Sequence, residues 1–269
     1  MKKVVILGGG RLPFQPSGTV YKNLSNFDLA KEAILGCLHQ TAVLPEKIDH
    51  VYMGNVIQEV TTSNVAREAA LQAGIPKHVP ATTIAQACIS SSQCVSLGSH
   101  TIKVGEAKLV LAGGVETFSD VPIRFPKVMR QWLINFPKHS KKGGLSTLKY
   151  LSQLKPSYLK PVPPALANFT TGELMGETSE KIASRFGVSR TEQDQFTIRS
   201  HQLASEAHSQ GWYDSEIYLY RGRRQENNIR PDLQISKLES LKPSFLKNGT
   251  HTAANSTGLT DGASSCLIS

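Results

Sequence analysis

The sequence has few cysteines, no long apolar run and no cluster of metal-ligating residues. Four cysteines are scattered among 269 residues, without a Cys-x-x-Cys pair or any zinc-ligand spacing. This pattern argues against a disulfide scaffold and favours a reducing compartment. The eight histidines are equally dispersed, so we expect no metal site. Only four apolar residues precede the first glycine, too few for a signal peptide or a membrane span, so we expect a soluble, uncleaved chain.

Acidic residues are missing from one long stretch of the chain. Residues 121–172, called the basic segment below, contain no Asp or Glu but nine Lys and Arg. The formal net charge of the chain is also +9, so this segment carries the entire excess. Its apolar residues recur between the cations, which suits an anionic membrane surface or an acidic protein partner. A solvated surface is the alternative; we expect no nucleic-acid partner, because the rest of the chain supplies no reading element.

Alternating strand and helix patterns predict an α/β fold. The strand patterns cover residues 4–8, 50–56, 81–86 and 108–115, and the helix patterns cover residues 28–42, 64–73 and 90–104. This order predicts a layered domain with a largely parallel sheet. We expect the first strand to be buried and Asp28 to cap the first helix. A further short strand is expected at residues 217–221, and another at the end of the chain.

The strand–helix alternation stops near residue 118 and resumes at the end of the chain. We therefore expect residues 1–117 and 251–269 to form the α/β domain, and residues 118–250 to form an inserted, mostly helical loop domain. Within the insert, Ser189 and Glu192 fit a helix capping box, and Gly211 fits the stop of the same helix.

Cys88 is the candidate catalytic residue because it lies between a predicted strand and a predicted helix. A thiol there would feel the N–H groups and the positive dipole end of the helix, which favour the thiolate. Backbone N–H groups of the same turn could also receive a developing oxyanion. A buried structural cysteine is the alternative. Cys37 and Cys94 fall inside predicted helices and Cys266 in a strand, where apolar surroundings raise a thiol pKa.

Several segments, in order along the whole chain, resemble the thiolase family. They are residues 4–14, 54–58, 64–67, Cys88 in its turn, 112–116, 175–176 and 249–262. Within that family, residues 119–124, the basic segment and residues 228–231 resemble the β-subunit type of the trifunctional enzyme. The resemblance implies a thiolase-like layered αβα N-terminal domain. It also implies the acetyl-CoA C-acyltransferase reaction of fatty-acid β-oxidation, which is 3-ketoacyl-CoA thiolysis.

The resemblance also implies roles for individual residues. Cys88 would attack the 3-keto carbon, release acetyl-CoA and hold the shortened acyl chain as a thioester for a second CoA. The positions that match CoA contacts are Met175 near the pantetheine, Phe245 near the adenine, and Ala253, Thr257 and Gly258 in the loop facing the pantetheine arm. CoA enters as a substrate, and neither a metal nor a permanently bound cofactor is implied. Leu174, where short-chain members often carry His, argues against a short-chain preference.

The second thiolase-fold half is absent from this sequence. In thiolases that half bears an Asn-Glu-Ala-Phe loop, a Gly-His-Pro histidine and a Cys-x-Gly cysteine, which activate the nucleophile and move the substrate proton. Two hypotheses stay open. The chain is part of a thiolase completed by another polypeptide, with negligible activity alone, or it is a truncated, non-catalytic CoA-binding and dimerisation module.

Partners and location follow from the same resemblance. It implies a homodimer with residues 54–67 near the interface, a hydratase/dehydrogenase α-subunit as partner, and a peripheral membrane contact. It implies a cytoplasmic location in a bacterium, or the mitochondrial matrix or inner-membrane face in a eukaryote.

Overall fold

A central β-sheet and eight α-helices make up the fold in the computed structural model, which describes residues 3–220, 222 and 226–269. The strands are β1 Ile6–Arg11, β2 Gln15–Pro16, β3 His50–Gly54, β4 Ala81–Ile84, β5 Val110–Glu116 and β6 Thr260–Ile268. The helices are α1 Asn26–Thr41, α2 Val65–Gln72, α3 Ser90–Val104, α4 Lys127–Ser140, α5 Gly144–Leu151, α6 Met175–Phe186, α7 Arg190–Ser209 and α8 Ile235–Glu239. The predicted α/β class is confirmed.

The sheet is mixed, with strand order β1-β6-β5-β3-β4 and β2 paired to β6. β3 is parallel to β4 and β5, whereas β6 is antiparallel to β1 and β5. The expectation of a largely parallel sheet is therefore wrong for β6. This strand follows the long insert rather than a single crossover helix, so it is free to enter from the opposite side. Consequently β1, β3, β4 and β5 end where β6 begins, and we call this the carboxyl edge.

Helices pack on both faces of the sheet. α1 and α2 cover one face in the larger apolar cluster, and α3 covers the other face in a smaller one. α1 buries the predicted apolar side chains, but its N-cap is Ser25 rather than Asp28. The Ser25 hydroxyl accepts the Asp28 N–H, and the Asp28 carboxylate accepts the Ser25 N–H. Asp28 is thus the third helical residue, the N3 position of a capping box, where an acidic residue is common.

The first strand is exposed, contrary to its apolar sequence. Val5, Ile6 and Leu7 are 51%, 64% and 54% exposed. The prediction of a buried strand is wrong because β1 lies at the end of the sheet order, with one strand neighbour along most of its length. The predicted strand at residues 217–221 is reduced to a bridge between Ile217 and Arg11, and its last residue lies outside the described part of the chain.

The insert lies between β5 and β6 and contains α4 to α8. The predicted capping box of α7 is confirmed, since the Ser189 hydroxyl accepts the Glu192 N–H and the Glu192 carboxylate accepts the Ser189 N–H. Gly211 follows the C-cap in the left-handed region, with φ of 70°, as a helix stop requires.

The start of α3 lies so close to β3 and β5 that no side chain would fit at Gly54 or Gly114. A Cβ on Gly54 would lie 2.7 Å from the backbone carbon of Ser90, and a Cβ on Gly114 would lie 1.8 Å from the Ser91 Oγ. Glycine at the ends of β3 and β5 therefore lets the first turn of α3 rest directly on the sheet. The turn that precedes α3 is positioned by this contact.

Gly54→Ala is expected to lower the free energy of unfolding by about 1–3 kcal/mol, because the added methyl group meets backbone atoms that cannot move without shifting α3. Urea denaturation followed by circular dichroism measures the change. Gly144→Ala is the matched control, since a Cβ at Gly144 meets nothing within 4 Å. Equal stability of the two variants would contradict the packing argument.

Candidate functional site

Cys88 lies in a tight turn between β4 and α3. The Ser90 hydroxyl closes this turn, accepting the Gln86 N–H at 2.8 Å and donating to the Ala87 carbonyl at 2.6 Å. Ala87 occupies the left-handed region with φ of 47°, which reverses the chain just before the cysteine. A non-glycine residue in that region is uncommon and is held there by its surroundings. The turn leaves Cys88 exposed at the carboxyl edge.

The four cysteines differ sharply in their surroundings. Cys37 and Cys94 are buried, Cys266 is half-buried, and Cys88 is exposed. Burial raises the pKa of the Cys37 thiol to about 11 and that of Cys94 to about 12, and it also raises the pKa of Cys266. These three side chains are therefore protonated at neutral pH. Cys88 is the exposed thiol of the four, which makes it the candidate nucleophile.

The N-terminus of α3 places a partial positive charge close to the Cys88 thiol. The helix begins at Ser90, two residues after Cys88, and its first turn contains no acidic residue. The partial positive charge at a helix N-terminus is confined to about the first turn, where it stabilises an anion. A thiolate at Cys88, and an oxyanion formed beside it, would both gain from this position.

A half-buried carboxylate fixes the loop that follows β3. Glu116, at the end of β5, accepts the Asn55 side-chain N–H at 3.0 Å and the backbone N–H groups of Val56 and Ile57 at 3.0 Å and 3.2 Å. Burial raises the pKa of this carboxyl, while these hydrogen bonds act in the opposite direction. The Asn55 backbone N–H also donates to the Ile84 carbonyl at the end of β4. The loops beside Cys88 are thus tied to one another.

The predicted pantetheine loop lines a cavity at the start of β6. Ala253, Thr257 and Gly258 contribute to its wall, and the cavity has a volume of about 470 Å³. His201 and Arg230 face the same space from the insert. Because β6 begins at the carboxyl edge, this loop and Cys88 lie on the same edge of the sheet. Three strand spacings separate β6 from β4, about 14 Å.

Met175 and Phe245 lie outside that cavity lining. Met175 is the first residue of α6 and is 59% exposed. A Cβ on the next residue, Gly176, would lie 2.2 Å from the Phe245 ring, so the ring packs against the helix backbone there. The structure therefore places Phe245 against the residue that follows Met175, at the start of α6.

Sequence reasoning missed the residue that anchors the pantetheine loop. Glu180, on α6, accepts the Thr250 and His251 backbone N–H groups at 2.9 Å and 2.8 Å and the Thr250 hydroxyl at 2.9 Å. Burial alone would raise its pKa, but the hydrogen bonds outweigh burial and lower the pKa to about 2. The stabilisation is therefore complete above the ordinary carboxyl pKa and is lost as pH falls toward about 2. No local pattern could reveal partners some 70 residues away.

The basic segment folds into a helical hairpin of α4 and α5. The Trp132 indole N–H donates to the Tyr150 carbonyl at 3.3 Å, and the Tyr150 hydroxyl donates to the Trp132 carbonyl at 3.1 Å. Their rings stack at 5.1 Å. Outside this contact Ile134, Leu145 and Leu148 are 71%, 87% and 67% exposed, so the hairpin presents apolar side chains together with its cations. Within the described residues, no helix combines the length and apolarity that crossing a membrane requires.

Comparisons with known proteins identify the class. The family described as thiolase, N-terminal domain, matches residues 4–269. This chain belongs to the thiolase family. A probable 3-ketoacyl-CoA thiolase of Caenorhabditis elegans is 44% identical over 100% of this chain, and the mitochondrial trifunctional enzyme subunit beta of Homo sapiens is 43% identical over 100% of it. The predicted resemblance is confirmed.

Solved structures of thiolases have the same fold as this chain. Human mitochondrial 3-ketoacyl-CoA thiolase in complex with CoA has a TM-score of 0.83 and 29% identity, covering 99% of this chain and 64% of that one. Acat5 thiolase from Ascaris suum in complex with coenzyme A has a TM-score of 0.84 and 25% identity, covering 100% of this chain and 66% of that one. The chain spans 61% and 57% of the two sequence relatives, so it corresponds to about three fifths of their length.

Iodoacetamide at neutral pH is expected to alkylate Cys88 first, because burial keeps the other three thiols protonated and covered. Peptide mass spectrometry over a time course gives the rate at each cysteine. In the Cys88→Ala variant, rapid labelling should vanish while slow labelling elsewhere persists. Faster modification of Cys94 than of Cys88 would contradict this assignment.

Proposed function

We propose that this chain supplies the nucleophilic domain of a 3-ketoacyl-CoA thiolase, an acetyl-CoA C-acyltransferase of fatty-acid β-oxidation. The observation that carries the proposal is the exposed Cys88 thiol before α3, on the same sheet edge as the loop at residues 253–258. CoA is the substrate that the loop receives. The two solved relatives described as complexes with CoA support this choice of ligand.

Cys88 accepts the acyl group in the proposed reaction. Its sulfur attacks the 3-keto carbon, the bond between C2 and C3 breaks, and the two-carbon fragment leaves as acetyl-CoA after taking up a proton. The shortened acyl chain remains as a thioester on Cys88 until the thiol of a second CoA attacks it. The N-terminus of α3 stabilises the thiolate and the oxyanion. The groups that deprotonate Cys88 and protonate the leaving fragment belong to the complementary half.

The proposed CoA contacts come from the loop at residues 253–258 and from the start of α6. Ala253, Thr257 and Gly258 form the wall beside the pantetheine arm, and the side chain of Met175 contacts the pantetheine from α6. Phe245, packed on the backbone of α6, offers its ring to the adenine. The α/β domain of residues 1–117 and 251–269 thus carries the nucleophile, and the loop domain of residues 118–250 supplies the contacts at Met175 and Phe245.

The assembly proposed for this chain is a homodimer with residues 54–67 near the interface. A hydratase/dehydrogenase α-subunit is the proposed partner, supported by relatives named trifunctional enzyme subunit beta. The location follows the same relatives: the mitochondrial matrix or inner-membrane face in a eukaryote, or the cytoplasm in a bacterium.

The purified chain is expected to show negligible thiolysis of any 3-ketoacyl-CoA, because no group described above replaces the proton-transferring residues of the complementary half. Adding a polypeptide with the Gly-His-Pro and Cys-x-Gly segments should restore turnover, measured by the loss of 3-ketoacyl-CoA absorbance. The Cys88→Ala variant with the same polypeptide is the control and should stay inactive. CoA binding without restored turnover would favour the alternative, a non-catalytic CoA-binding module.

The basic segment is proposed to rest on an anionic membrane surface. Its exposed apolar side chains enter the headgroup layer while the lysines meet anionic lipid. The net positive charge of the segment and the absence of any acid within it support this orientation.

Changing Lys138, Lys141 and Lys142 together to Glu is expected to weaken binding to cardiolipin-containing vesicles about 100-fold, because each cation near such a surface contributes about 1 kcal/mol. Vesicle co-sedimentation at low and high salt measures this. A matched change of the exposed Lys22, Lys47 and Lys77 to Glu alters the net charge equally outside the segment and should have a much smaller effect. Equal losses in both variants would contradict docking through the hairpin.

A further inference from the structure

A serine, a histidine and a glutamate lie next to one another outside the Cys88 turn, the first two hydrogen-bonded and the last two within ion-pair distance. The Ser179 Oγ lies 2.8 Å from the His251 Nε2. The His251 Nδ1 lies 3.2 Å from the Glu180 Oε2. Ser179 and Glu180 are consecutive on α6, and His251 comes from the loop before β6. A hydroxyl, an imidazole and a carboxylate in this order have the geometry of a nucleophile, a base and a group that orients the base.

The serine and the histidine open onto a cavity, while the carboxylate lies behind them. Ser179 and His251 both line a space of about 470 Å³, which adjoins the cavity beside the loop at residues 253–258 and shares Phe196, Thr197 and Asn255 with it. Glu180 is 6% exposed and does not line it. The apolar part of the wall comes from Ile182, Ala183, Val188 and Phe196. This wall suits a short aliphatic group, and the polar part of the lining is Ser179, His251, Glu192, Gln193, Thr197 and Asn255.

Glu180 fixes the imidazole as well as the loop. Backbone N–H groups of Thr250 and His251 and the Thr250 hydroxyl hold the carboxylate in place. A hydrogen on Nδ1, which lies 3.2 Å from the Glu180 Oε2, would leave the Nε2 lone pair facing the Ser179 hydroxyl. This is the tautomer that a general base needs.

The same cavity contains an amide donor for a developing negative charge. Gln193 contributes to the wall, and its Nε2 donates to the Thr250 Oγ1 at 2.9 Å. The Gln193 Nε2 also donates to the Val188 carbonyl, at a long 3.5 Å. A stronger acceptor in the cavity would therefore replace the Val188 carbonyl as its partner.

We propose that Ser179 is a second acyl-accepting residue, acting on esters or thioesters with a short aliphatic acyl group. The Oγ of Ser179 attacks the carbonyl carbon while the Nε2 of His251 takes its proton. The bond to the leaving oxygen or sulfur then breaks, and the leaving group takes the proton from His251. Water attacks the resulting seryl ester, releases the carboxylic acid and returns a proton to the Oγ. This activity needs neither Cys88 nor the complementary thiolase half.

A fluorophosphonate probe tests the nucleophile directly, because an activated Oγ forms a bond to phosphorus as fluoride leaves with the proton. The full chain carrying Cys88→Ala is used, so that no reaction at that thiol interferes. Peptide mass spectrometry should find the adduct on Ser179. The label should be lost in Ser179→Ala and reduced at least tenfold in His251→Gln. Ser184→Ala, an exposed serine on the same helix, is the matched control and should label normally.

A second readout separates catalysis from folding. The same variants are given p-nitrophenyl butyrate, and circular dichroism confirms that each is folded. The Cys88→Ala chain should release p-nitrophenolate with a burst close to one equivalent, absent from Ser179→Ala. A folded chain that leaves Ser179 unlabelled, or labels Ser179 and Ser184 at equal rates, would overturn the proposal and leave the three residues as a structural clamp.

Discussion

The contact between the start of α3 and the ends of β3 and β5 is the constraint on which the site depends. Gly54 and Gly114 leave no room for a side chain under Ser90 and Ser91. Ser90 also closes the turn that contains Cys88, through bonds to Gln86 and Ala87. The helix start, the turn and the thiol are therefore positioned together. A small displacement of α3 would move the Cys88 thiol by the same amount, and the acyl transfer proposed for it would be sensitive to such shifts.

Three carboxylates, two of them buried and one half-buried, organise the loops around this fixed point. Glu116 holds the loop after β3, and Glu180 holds the loop before β6. Asp261, fully buried at the start of β6, accepts the Phe118 and Ser119 N–H groups at 2.7 Å and 3.1 Å. Each acid accepts two or more backbone N–H groups of a loop, and hydrogen bonds to a charged acceptor are stronger than neutral ones. Acid-to-backbone bonds thus hold the loops at the carboxyl edge.

The sequence predicts well those features that depend on neighbouring residues. The apolar face of α1, the span of α3 and the cap of α7 follow from local periodicity and capping chemistry. The position of Cys88 between a strand and a helix follows for the same reason, since a strand-to-helix turn is a local signal. The burial of β1 and the direction of β6 were predicted wrongly, because both are set by which strand lies beside them. The link from Ser179 and Glu180 to His251 joins residues more than 70 positions apart, which no local pattern records.

The most direct test of the central claim is to find the acyl group on the protein. The chain is combined with the complementary thiolase half, given a long-chain 3-ketoacyl-CoA without free CoA, and quenched in acid. Peptide mass spectrometry then locates the shortened acyl chain. The account predicts a thioester on Cys88 that disappears on adding CoA or hydroxylamine. Acetyl-CoA release with the acyl group on any other residue, or with none bound, would contradict it.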